Sequence, residues 1–281
     1  MAVKNYKLLL LVPCVLLVLA IAVLAAGYME NGEWFRRSIE LRGGTLVTLN
    51  SESGMEAADL QSILEQALGE VSVKKISGGS GEGYVIQADS AIDAQDILDA
   101  TEQAGIVAAE YSAQTIGPAL GASFWSQAQL AIVFAFVMMG IIVFAIFRTG
   151  VPSGAMILCA VSDIVITIAA MQVFGIELSL AGLAALLMLI GYSVDTDIML
   201  TTRLLRGTGE FKERFSFSLK TGLTMSVTTI GALIALLVAG VSAVLSQIAV
   251  VLLIGLVTDV AFTWLQNSVL LRWYMEARGL V

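Results

Sequence analysis

The chain has 281 residues, 58% hydrophobic and 14% charged, with a formal net charge of −8 and a mean hydropathy of +0.88. Apolar content this far above half places it among membrane proteins before any pattern is read. It has no histidine, which removes the commonest general base and metal ligand and, with them, most zinc and triad enzymes.

The first element is an apolar run over Leu8–Tyr28, long enough to cross a bilayer, which takes about 20 residues. Ala20-Ile21-Ala22 has the small-x-small form of a signal-peptide cleavage site. The run is longer than a usual signal core, so it reads as a retained span. Cys14 lies in this run and Cys159 in a later one, which excludes a disulfide framework.

From Glu30 to Trp125 the chain carries 15 acids against 5 bases (Arg36, Arg37, Arg42, Lys74 and Lys75), a net charge near −10. Such a segment disfavours nucleic acid as a partner. Its pattern predicts a strand over Glu40–Asn50 and an amphipathic helix over Ala57–Leu68, with Leu60, Ile63, Leu64, Ala67 and Leu68 on one side. A strand over Val71–Ile76, a glycine-rich turn over Gly78–Gly83 and a strand over Tyr84–Ala88 follow. A helix over Ala94–Ala104, with Ile97, Leu98 and Ala104 inward, leads to a last strand over Ile106–Tyr111. The order β-α-β-β-α-β is that of a ferredoxin-like sandwich, and about 80 residues support one small core. Gly78-Gly79-Ser80-Gly81 joins two strands and leads into no helix, so it reads as a hairpin rather than a phosphate loop.

Five further runs are long enough to span: Ala128–Phe147, Pro152–Phe174, Leu180–Thr202, Thr221–Gly240 and Ser246–Leu271. The predicted fold is therefore an α-helical membrane protein with six transmembrane helices and an external ferredoxin-like α+β domain. Residues 1–28 form the first helix, 29–126 the extracytoplasmic domain and 127–281 the five-helix remainder. With a cytoplasmic N-terminus, the inside receives Lys4, Lys7, Arg148, Arg203, Arg206, Lys212, Arg214, Lys220, Arg272 and Arg278. The short outer loops Gly175–Leu178 and Val241–Leu245 then hold no Lys or Arg. That bias predicts a multi-pass cell-membrane protein with both termini cytoplasmic and the acidic segment outside.

Four acids fall within spans: Asp163 in the third, Asp195 and Asp197 in the fourth, and Asp259 in the sixth. Each costs about 2.5–3.5 kcal/mol on insertion scales, so such groups are rare without a role. At ~1.5 Å per residue, Asp163 and Asp259 lie near mid-bilayer and Asp195 nearer the cytoplasmic side. No Lys or Arg sits at comparable depth, so the carboxyls either serve a proton relay or hydrogen-bond neighbouring helices as structural groups. Asp195 and Asp197 stand about 200° apart around a helix. Tyr192, Asp195 and Met199 share one stripe, and Ser193, Asp197 and Thr201 another. On the fifth span Gly222, Ser226 and Thr229 form a small-residue stripe with Thr221, Thr224 and Thr228 beside it. Small residues let helices approach closely, and hydroxyls can solvate a buried carboxyl.

Gly191-Tyr192-Ser193-Val194-Asp195-Thr196-Asp197 resembles the fourth-helix signature of the SecF family, and Ile198-Met199-Leu200-Thr201-Thr202-Arg203 resembles its archaeal branch. Glu40-Leu41-Arg42-Gly43-Gly44-Thr45 is similar to the family's acid-x-x-Gly-Gly-Thr motif at the start of the first external domain. Ser162–Thr167, Ser226–Thr229 and Ile254–Asp259 are similar to its third-, fifth- and sixth-helix motifs. The resemblance implies membership of the resistance–nodulation–division superfamily, with this chain as one six-helix half and SecD as the other. The implied partners are SecD, the SecY channel complex and the translocating polypeptide. The implied role is to assist translocation, coupled to the proton gradient. Bacterial relatives carry a proton-linked acid where Thr196 stands here, between Asp195 and Asp197, and an arginine where Thr221 stands beside Lys220. On that basis Asp195 is the expected sensitive carboxyl, while Asp197 is expected nearer the cytoplasmic surface, within reach of water or Arg203.

Other readings are half of a lipid or hydrophobe exporter of the same superfamily, and a non-transporting scaffold of the channel complex. An intramembrane aspartyl protease is disfavoured because neither a Tyr-Asp pair nor Gly-x-Gly-Asp occurs. No enzymatic activity, cofactor or metal is expected.

Overall fold

The computed structural model describes residues 6–51, 54–78, 81–106, 110–240 and 242–279. It comprises two compact units, one of Arg37–Gln129 and one of Met1–Arg36 with Leu130–Val281.

In the first unit a helical turn, α2 (Ile39–Arg42), precedes β1 (Gly44–Asn50); α1 is the membrane helix described below. The expected strand over Glu40–Asn50 is therefore shorter. Gly43 at φ 87° and Gly44 at φ 143° redirect the chain between turn and strand. Then come α3 (Ala57–Leu68), β2 (Val71–Gly78), β3 (Gly81–Ala88), α4 (Ala94–Gln103) and β4 (Glu110–Ile116). The strands form one antiparallel sheet in the order β2-β3-β1-β4. Alternate residues of β1 to β3, among them Val47, Leu49, Val73, Tyr84 and Ile86, pack on Leu60 and Leu64 of α3 and Ile97 of α4. Ile63 and Ala67 of α3, expected on the buried side, are exposed, because Leu60, Leu64 and Leu68, four residues apart, form the inward ridge.

Two boundaries move. Strands β2 and β3 continue through the expected glycine-rich turn until Gly78 pairs with Gly81; Gly79 and Ser80 lie outside the described residues. The last strand runs over Glu110–Ile116 rather than Ile106–Tyr111, because antiparallel register with β1 aligns Asn50 with Glu110 and Gly44 with Ile116. Ile106 is buried ahead of it, and 107–109 lie outside the described residues.

In the second unit, and continuing into it, six helices among the described residues are long and apolar enough to cross a membrane. The first is α1 (Leu11–Asn31), entered through a 3-10 turn at Tyr6–Leu10 and ended by Gly32 at φ 69°. The others are α5 (Pro118–Phe147), α6 (Gly150–Val173), α7 (Leu180–Arg206), α8 (Phe211–Ala239) and the last span, which begins as α9 (Ala243–Phe262). That span passes through a π-turn at Thr263–Asn267 and ends as α10 (Ser268–Ala277). Helix α8 starts ten residues before the apolar run read from sequence. Phe211, Phe215 and Leu219, at i, i+4 spacing, pack against Leu200, Leu204 and Trp264 and carry the helix into its charged segment.

Helices α6, α7 and α9 form the buried middle, while α1, α5 and α8 are largely exposed. Gly255 of α9 permits the close approach of α7: a Cβ there would lie 2.3 Å from Leu189 Cδ2. Ser179 caps α7, its Oγ accepting from the Gly182 N–H at 3.0 Å. The same hydroxyl donates to Gln247 Oε1 at 2.8 Å, and the Gln247 amide donates to the Glu177 carbonyl at 3.0 Å. These bonds join the N-terminal ends of α7 and α9.

Candidate functional site

Periodicity and burial bring three of the four intramembrane acids together. Asp163 of α6, Asp197 of α7 and Asp259 of α9 are fully buried. Ser193, one turn before Asp197 on α7, donates to Asp163 Oδ2 at 2.8 Å. Thr263 Oγ1 lies 3.1 Å from Asp197 Oδ1 and 3.3 Å from Asp259 Oδ1. Asn267 Nδ2 donates to the same Asp197 oxygen at 2.7 Å. Asp163 stands beside Asp259, and the Cys159 thiol stands beside Asp197.

Donors are scarce here. Asp163 Oδ1, Asp197 Oδ2, Asp259 Oδ2 and Asn267 Oδ1 have no hydrogen-bond partner among the described residues. Three adjacent negative charges without a cation are not sustained in an apolar interior. Protons held on the carboxyls relieve the repulsion and supply the missing donors in one step. The cluster is therefore chemically suited to take up and pass protons. Among the described residues no group of acids and thiols is disposed to hold a metal ion.

The other expected residues divide. Asp195 is exposed on the opposite side of α7 and takes no part in the cluster. Asp197, expected near water or Arg203, is instead enclosed, because it shares the inward stripe with Ser193 and Thr201. Arg203 turns to α8, donating to Thr221 Oγ1 at 3.1 Å with its guanidinium over the Phe217 ring. Tyr192 places its hydroxyl 3.4 Å from Ser226 Oγ, across the α7–α8 contact. Thr196 is buried, and its hydroxyl donates to the Tyr192 carbonyl at 3.3 Å.

Gly222 lies under the Trp264 indole. The hydroxyls of Thr228 and Thr229, expected to solvate a carboxyl, donate to carbonyls of their own helix at 2.8–3.0 Å. Of the four acids within the spans, Asp163, Asp197 and Asp259 are buried within this chain and Asp195 faces out. Thr263, Asn267 and Cys159 are the site residues that sequence reasoning missed. The signal available was a polar series, Asp259, Thr263 and Asn267, at spacings of four in an otherwise apolar span.

Residues 96–277 match the family model described as protein export membrane protein SecD/SecF, C-terminal. The chain is 41% identical over 282 residues to the protein-export membrane protein SecF of Methanothermobacter thermautotrophicus, covering 98% of this chain and 95% of that one. The SecF of Pyrococcus furiosus is also 41% identical, over 274 residues, covering 97% and 92%. This chain belongs to the SecF family. Among solved structures it is similar to a Thermus SecDF, described as a translocon-associated membrane protein, with a TM-score of 0.75 and 25% identity. The match covers 98% of this chain and 39% of the SecDF chain. A SecDF in a super-membrane-facing form shares the fold at a TM-score of 0.55.

Proposed function

We propose that this SecF-family chain assists protein export as one six-helix half of a complex with a SecD-like chain, and that its buried carboxyls couple export to the proton gradient. The observation that carries the coupling is the Asp163–Asp197–Asp259 cluster, buried with more acceptors than donors and no cation beside it among the described residues. Pairing is supported by the SecDF match, in which this chain corresponds to 39% of a longer chain. It is supported as well by the exposed Asp195, a carboxyl on the face of α7 that otherwise presents Ala184, Met188 and Gly191, where it favours a donor from another helix.

The asymmetry of Lys and Arg supports cytoplasmic termini and an extracytoplasmic Arg37–Gln129 unit. We read that unit as ferredoxin-like, from its sheet order and two crossover helices, and as the part that meets polypeptide emerging from a SecY-type channel. The test is export into vesicles containing the channel, this chain and its SecD-like partner, with and without an imposed gradient. Stimulation by the gradient that disappears when this chain is omitted supports the reading. Gradient-independent export that needs the chain only for complex stability replaces the coupling with a scaffold role.

A further inference from the structure

The last span is interrupted where the carboxyl cluster takes its donors. Thr263–Asn267 forms a π-turn between α9 and α10. Four residues of α-helix overshoot a full turn by about 40°, so side chains at successive spacings of four drift around the axis. An i→i+5 turn winds less per residue and takes that drift back. Asp259, Thr263 and Asn267 thereby share one face, and the latter two both reach Asp197 Oδ1.

Asn267 is fully buried, and its Oδ1 has no hydrogen-bond partner among the described residues. Asp197 Oδ1 already receives Thr263 and Asn267, whereas Oδ2 has no hydrogen-bond partner among the described residues and is the oxygen open to a proton. The turn is also held from its other side. Trp264 meets Phe215 edge-on at 6.0 Å and covers Gly222 of α8, while Ser268 Oγ donates to the Trp264 carbonyl at 2.5 Å. π-Turns recur at functional sites because they re-aim side chains at the cost of a regular ladder.

We propose that Asn267 is the positioning residue for Asp197, delivered by the π-turn so that its amide fixes Oδ1 and leaves Oδ2 for the exchanging proton. A donor at Oδ1 suits both charge states: Nδ2 donates to Oδ1 of the carboxylate and, with the proton on Oδ2, to the carbonyl oxygen of the carboxylic acid. The inference rests on the reading that Asp197 exchanges protons during export.

The test uses the full chain in complex with its SecD-like partner. An apolar carbodiimide, which attacks carboxylic acids in apolar surroundings, is applied at one pH, and adducts at Asp163, Asp197 and Asp259 are quantified by mass spectrometry. Asn267→Leu removes the donor and should raise labelling of Asp197 at least fivefold relative to Asp163. Asn267→Gln, which keeps the amide, should hold the ratio within twofold of the unsubstituted chain. If Asn267→Leu does not assemble, Asn267→Ser carries the same expectation, its hydroxyl being too short to reach Asp197.

An unchanged ratio overturns the proposal, as does an equal rise at all three acids, which would mark a loosened bundle. Export is measured on the same samples. A shifted ratio in a complex whose export ignores the gradient would uphold the positioning role and remove the coupling reading.

Discussion

Ser193 and Asp163 join α7 to α6 through a hydrogen bond of 2.8 Å between fully buried side chains. Ser193 is the hydroxyl that supports Asp163 Oδ2, and Asp163 Oδ1 has no hydrogen-bond partner among the described residues. Ser193→Ala therefore removes the hydroxyl donor of a buried carboxyl, at a cost of about 1–3 kcal/mol. Thermal unfolding of the purified complex should show a lower midpoint for Ser193→Ala, with Ser193→Thr closer to the unsubstituted chain. Equal midpoints for the Ala variant and the unsubstituted chain would contradict this role.

Gly222 is small because Trp264 lies over it. An added Cβ would come 2.4 Å from Trp264 Cζ2 and 3.3 Å from Met199 Cε. The indole cannot swing aside freely, since Phe215 abuts it edge-on. Gly222→Ala should cost about 1–3 kcal/mol by overpacking. Gly231→Ala, on the same helix with nothing within 4 Å of its added Cβ, is the control and should leave the unfolding midpoint unchanged or raised.

Much of this was legible in the chain because spans and amphipathic helices leave one-dimensional signals. Six apolar runs gave six helices, and the two stripes of α7 followed from 100° steps: Ser193, Asp197 and Thr201 on one, Tyr192, Asp195 and Met199 on the other. Which stripe met the other acids was not legible, since that depends on helix rotation set by neighbours such as Leu189 against Gly255. Depth misled the reading of Asp197: nearness to Arg203 along the helix says nothing about direction, and Arg203 turns to Thr221. The π-turn was hidden because Thr263–Asn267 carries neither Pro nor Gly. The offset of β4 arose from pairing with β1, a long-range choice with no local mark.

Orientation has a direct test. Single cysteines replace Ser112 on β4 and Thr208 in the α7–α8 loop, both exposed, and intact cells are treated with a membrane-impermeant maleimide. Ser112→Cys should label and Thr208→Cys should not until the membrane is opened. Labelling of Thr208→Cys in sealed cells would reverse the topology.

Asp195 and Asp197 should differ as contact points. Asp195→Cys, exposed on α7, should form cross-links to a helix of the SecD-like partner, whereas a cysteine at the buried position 197 should form none. Cross-links from 197 alone would mean that the interface lies on the other face of the helix.

Under the proposed coupling, the enclosed carboxyl of α7, rather than the exposed one, carries the gradient's effect on export. Asp197→Asn keeps size and hydrogen bonding but cannot ionise, so it separates titration from packing. The decisive measurement is export by the reconstituted complex across a series of imposed proton gradients, with assembly checked by co-purification. The account predicts that Asp197→Asn assembles normally and loses gradient-dependent stimulation, while Asp195→Asn retains most of it. Unaltered gradient dependence in an assembled Asp197→Asn complex would contradict it and leave the buried acids as structural groups.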